Sequence, residues 1–129
     1  MNSSKYQNKA IGLIHLLGAG EVLDRYSILK IQKDKRILDN LVFKQFSILV
    51  KQIKLPRKSS WINYFYKINK KIWSLEIKIY TEHKKQSDFS KIGKMAIEIR
   101  KLNKIRNKVK LKLNKKFKNG YLTEKINYG

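Results

Sequence analysis

Asn103, Arg106, Lys110 and Asn114 are spaced by three, four and four residues. On an α-helix that spacing puts all four on one face. Such a face can grip a small anion, with Arg106 and Lys110 as charged donors to a phosphate or carboxylate. It can equally meet carboxylates of neighbouring helices and fix the packing register as an internal polar network. The carboxylates within reach are Glu21 and Asp24, with Arg25 beside them, and Glu76 on a middle segment, where Asn69 borders the same seam. Paired acid–base catalysis needs two carboxylates at a defined separation with split pKa values. Glu21 and Asp24 read more simply as helix-start acids, so no catalytic residue is expected.

The second pattern is electrostatic. Between Arg100 and Lys118, ten of 19 residues are Lys or Arg and none is acidic. Arg100 opens this run, and Lys101, Lys104, Lys108, Lys112 and Lys115 form a stripe beside an apolar one. A basic amphipathic helix of this kind can neutralise nucleic-acid phosphates, lie on an anionic membrane or face water. Lysine dominance favours contact with a phosphate backbone over base reading. Trp61, Tyr64, Phe65 and Tyr66 could offer stacking platforms, but their helical spacing reads as core packing.

Other chemistries find no pattern. The chain has no cysteine, which excludes disulfides, thiolate metal sites and a cysteine nucleophile. His15 and His83 have no companion ligands at metal-site spacing, so no metal is expected. Gly18-Ala19-Gly20 lacks the context of a dinucleotide loop, and no Gly-Lys-Ser/Thr occurs. No cofactor is expected.

The elements that position these residues follow from periodicity. The chain has 129 residues and a formal charge of +22, with 31 basic against 9 acidic residues and 42% apolar residues. That is one domain with a modest core. Lys, Asn, Ile and Tyr make up nearly half of it, as AT-rich coding produces, but this does not explain the shortage of acids. Residues 1–19 read as an extended lead-in whose apolar part, Ile11 to Ala19, packs on the core; residues 20–129 read as the single domain. Glu21 to Lys54 reads as one helical element; Lys33-Asp34-Lys35-Arg36 interrupts its apolar rhythm, as a kink or an exposed middle would, and Pro56 ends it. Ser60 is the expected N-cap of the next helix. There Trp61, Phe65, Ile68, Ile72, Leu75 and Ile79 form a two-heptad seam, which could also pair two copies of the chain. Ser87 or Asp88 can cap the last helix. Its apolar stripe is Ile92, Met95, Ile99, Leu102, Ile105, Val109, Leu113 and Phe117, and Asn119-Gly120 stops it. The spacing predicts an all-α fold: an antiparallel bundle of three long helices, or four if the last one breaks near Leu102-Asn103. No apolar run is long enough to span a membrane.

Four blocks, GEVLDRYSILKIQ (Gly20 to Gln32), IWSLEIKI (Ile72 to Ile79), NKIRNKVKLKLN (Asn103 to Asn114) and GYLTEKINY (Gly120 to Tyr128), stand in one order. The chain resembles in them a family of small helical proteins of bacteria and large DNA viruses with no established activity. That family's pattern runs GE-x-x-D-(K/R)-x-(S/T)-IL, then LW-x-IE, then N-x-x-R-x-x-(I/V)-K-x-x-(I/L)-N, then EK-x-Y. Its members often lie near, or are fused to, glycosyltransferases of surface-polysaccharide pathways. The resemblance carries over Glu21, Asp24, Arg25, Trp73, Glu76, Asn103, Arg106, Lys110, Asn114 and Glu124. The chain departs from the pattern at Tyr80, Ala96-Ile97 and Lys104. A cytoplasmic, non-enzymatic protein docking a polyanion through its last helix is the function expected. The alternative is an accessory or enzyme-like component of surface-glycan synthesis with an anion site at Arg106 and Lys110.

Overall fold

The computed structural model describes residues 9, 12–14, 16–36, 40–85, 88–118 and 121–122. Among them are four long helices: α1 (Ala19–Asp34), α2 (Asn40–Gln52), α3 (Lys58–Lys84) and α4 (Phe89–Lys116). A short antiparallel ladder pairs β1 (Phe117–Lys118) with β2 (Tyr121–Leu122). The fold is an all-α bundle, as the periodicity predicts.

The fourth helix comes from the first segment, not the last. Residues 89–116 form one unbroken helix, and it is the first segment that divides. Lys35 closes α1, and Arg36 takes a left-handed backbone (φ 58°) that turns the chain out of the helix. The lead-in also differs from expectation: residues 12–14 and 16–17 are helical rather than extended. Ile14 nevertheless joins the core at 2% exposure, which explains why an apolar run opens the chain. At α3 the N-cap is Arg57, again left-handed, and Ser60 lies inside the first turn. His15, Leu38, Ser87, Asn119, Gly120 and Glu124 lie outside the described residues.

Contacts between helices fix their directions. Gly20 meets Asn114 and Asp24 meets Arg106, so α1 and α4 are antiparallel. Asn69 meets Arg106, Lys71 meets Glu98 and Glu82 meets Lys91, so α3 and α4 form an antiparallel hairpin. The bundle runs up, down, up, down.

The buried core sits at one end. It gathers Val22 and Leu23 of α1, Leu49 and Val50 of α2, Ile53 just after α2, Ile62 and Phe65 of α3's first turns, and Leu113 near the end of α4. Phe65 and Ile72 of the heptad seam are thus buried within the chain. The apolar stripe of α4 is less well covered: Leu113 is its one buried residue, and Ile105 is 46% exposed. Ile105 faces out because Arg106, not an apolar residue, occupies the inward position at mid-helix.

A candidate polar junction and a basic helix face

The bundle's interior polar centre starts from two glycines. Gly18 has φ 94°, a left-handed conformation that leaves α1 free to start at Ala19. Gly20 lies so close to α4 that a Cβ there would press on the Lys110 carbonyl and the Asn114 side chain. This approach lets Asn114 Oδ1 accept hydrogen bonds from the Gly20 amide (2.7 Å) and the Glu21 amide (3.4 Å). α1 has no side-chain cap of its own, so Asn114 supplies one from 94 residues away in sequence.

One turn further along α1, the charged groups pair. Lys110 Nζ contacts Glu21 Oε2 and lies 3.5 Å from Asp24 Oδ2. Arg25 Nε donates to Glu21 Oε1 at 2.7 Å. Partial burial pushes the Glu21 carboxyl up, but the bonds from Lys110 and Arg25 outweigh it and hold the carboxyl below its ordinary value.

Asp24 is only 2% exposed, and its environment accounts for that. Asn69 Nδ2 donates to Asp24 Oδ1 (2.7 Å) and to Ser27 Oγ (2.9 Å), while Ser27 Oγ donates to the Asp24 carbonyl (2.6 Å). Arg106 Nη1 donates to Asn69 Oδ1 at 2.7 Å, and its Nε stands 3.9 Å from Asp24 Oδ2 without a hydrogen bond. A buried carboxylate is tolerable only when paired and hydrogen-bonded, and Asp24 is both.

Six of the eight residues singled out from the sequence therefore meet: Glu21, Asp24, Arg25, Arg106, Lys110 and Asn114. Asn69 joins them, as its place on the seam suggested. Asn103 is half-buried on the same face of α4, but makes no hydrogen bond or ion pair among the described residues. Glu76 is exposed and lines a cavity of about 150 Å³ with Asn69, Trp73, Arg106 and three isoleucines. Sequence reasoning gave Ser27 and Gly20 no role, although both stand in the Gly20–Gln32 block. The close run Gly18-Ala19-Gly20 was the available signal for a tight helix approach.

The basic stripe lies on the other side of α4. Arg100, Lys101, Lys104, Lys108, Lys112 and Lys115 are all exposed. Arg100, Lys101, Lys104, Lys108 and Lys112 make no ion pair among the described residues. The stacking candidates are divided in their roles. Phe65 is fully buried, and Trp61 and Tyr64 pack against the core. Tyr66 donates its hydroxyl hydrogen to Asp34 Oδ2 at 2.7 Å.

Among the described residues no group of acids and histidines is arranged to hold a metal ion, and no helix is long and apolar enough to cross a membrane. No family model, curated protein or solved structure matches this chain.

Proposed function

We propose that this is a non-enzymatic cytoplasmic protein that docks a polyanion, nucleic acid first, through the outward face of α4. The observation that carries this reading is the division of cations along that helix. Arg106 and Lys110 turn inward to carboxylates. Lys101, Lys104, Lys108 and Lys112 turn outward and meet none. A helix that neutralises its inner cations and leaves its outer ones unpaired concentrates positive potential on one line.

The dimensions suit a phosphate backbone. From Lys101 to Lys115 the face is about 21 Å long at 1.5 Å per residue. One strand of a duplex places about six phosphates along that axial distance. Self-repulsion in a chain of charge +22 is relieved when such a partner binds. The test is a fluorescence titration with short RNA and DNA at two salt concentrations, repeated with lysines of the face changed to Gln. Salt-sensitive binding that weakens with each change supports docking; binding indifferent to both refutes it.

A second reading is a small-anion site at Arg106 serving surface-glycan synthesis. Its support is the cavity beside Arg106, Asn69 and Trp73. At about 150 Å³ and open to solvent, it can admit a small anion. The exposed Glu76 carboxylate at its wall opposes an anion. Both inner cations already face carboxylates, which places this reading second.

A further inference from the structure

α3 and α4 are longer than their neighbours, and their joined ends form an arm with no core of its own. α3 has 27 residues and α4 has 28, against 16 and 13 for α1 and α2. Near Trp73 the end of α1 reaches α3, the Nζ of its C-cap Lys35 lying 5.5 Å from the indole centroid. From Trp73 through Lys112 no described residue is buried. Two antiparallel helices cover only the strip between them. Ile79, Ile92, Met95 and Ile99 are half-buried, while Ile77 (50%), Tyr80 (61%), Phe89 (78%) and Ile97 (54%) are exposed.

The arm is also where the chain's charge vanishes. Residues 76–98 hold five lysines and four of the nine acids, a balance of +1 in a chain of +22. Two acids pair within the hairpin, Glu82 with Lys91 and Glu98 with Lys71. An acidic partner protein would gain most at the lysine-rich surfaces and little here. A second copy of this chain has the opposite preference. Its +22 is repelled at the lysine-rich surfaces and only weakly at this nearly neutral tip.

We propose that the α3–α4 arm is a self-association surface, with two copies packing arm against arm through the strip of Trp73, Ile77 and Tyr80. Four helices then enclose the apolar strips that two leave open. The run from Trp73 to Lys84 is about 16 Å long. Tip-to-tip packing on arms of that length keeps the charged bodies more than one Debye length, about 8 Å, apart at physiological salt. The lysine face from Lys101 onward stays outside the contact.

The test is sedimentation of nuclease-treated protein over a concentration series, at low and high salt. The account expects a monomer–dimer equilibrium that holds or tightens as salt rises, because screening removes repulsion. That sign is opposite to the salt dependence of nucleic-acid docking, so the two proposals fail separately. Ile77→Lys with Tyr80→Lys weakens the dimer at least tenfold, whereas Ile48→Lys, an exposed change on α2, leaves it unchanged. The chain has no cysteine, so Ile77→Cys gives a second readout: oxidation yields a covalent dimer, and Ile48→Cys does not. A monomer up to about 200 µM overturns the proposal, since that bounds the affinity below about 5 kcal/mol. A dimer that dissolves with salt, or one that the arm substitutions leave intact, overturns it too.

Discussion

The Asn114 carboxamide oxygen accepts the Gly20 amide hydrogen at 2.7 Å, joining the end of the last helix to the start of the first. This bond closes the bundle around the buried core at that end. It needs two things from the sequence: an acceptor at 114 and no side chain at 20.

Gly20→Ala tests the second requirement. The added methyl would press on the Lys110 carbonyl, which is backbone and cannot swing aside. The helix start must shift, and a loss of about 2 kcal/mol is expected from such overpacking. Asn114→Ala removes the cap without adding bulk and costs about 1 kcal/mol. Thermal melts of both variants should rank Gly20→Ala as the less stable.

Asp24 is the most deeply buried charge in the junction, at 2% exposure. Asp24→Ala leaves the Asn69 amide with Ser27 alone as acceptor and removes a carboxylate shared by Lys110 and Arg106. Breaking such a pair costs about 3 kcal/mol or more. In chemical denaturation, a double-mutant cycle with Arg106→Met should give coupling well above zero. Additive losses would mean that Arg106 and Asp24 are neighbours without an interaction.

The junction also sets a pH dependence. The folded Glu21 carboxyl is held below its ordinary value. The unfolded chain therefore binds a proton more readily in the acid range, and stability falls as pH falls. The Glu21 contribution is complete above its unfolded value, about 4.3. It is lost as pH drops through the folded value. Glu21→Gln should flatten the acid limb of a stability–pH curve and leave the slope above pH 6 unchanged.

How much of this the sequence carried differs from residue to residue. The spacing of Arg106, Lys110 and Asn114 placed them on one face, and the acids of the first helix were the natural partners. The unbroken last helix was open, because periodicity alone does not distinguish a long helix from two aligned ones. The break after Asp34 was partly legible: the charges of Lys33-Asp34-Lys35-Arg36 interrupt the apolar rhythm, but no Gly or Pro marks a turn, and a left-handed Arg36 makes it. Arg57 likewise occupies a left-handed N-cap that sequence preference assigns to Ser60. Ile105 matched the apolar stripe and yet faces water, because the polar centre takes the inward position beside it. Ser27 was not legible, since its role depends on Asn69 arriving from a helix 42 residues away.

The lysine face should be separable from stability. Lys101, Lys104, Lys108 and Lys112 are exposed and pair with no acid among the described residues. Changing them to Gln should move the melting free energy by less than about 0.5 kcal/mol each, with any change toward greater stability as repulsion falls.

The most direct measurement is duplex-DNA affinity between 50 and 200 mM salt, for the native chain and for the fourfold Lys→Gln variant at positions 101, 104, 108 and 112. About four to five phosphate contacts predict a log–log slope near −4, a loss of about two hundredfold across that range. The variant should bind far more weakly, with a slope closer to zero, while melting as the native protein does. A native affinity that ignores salt, or a fourfold variant that binds as tightly as the native chain, would contradict docking through α4.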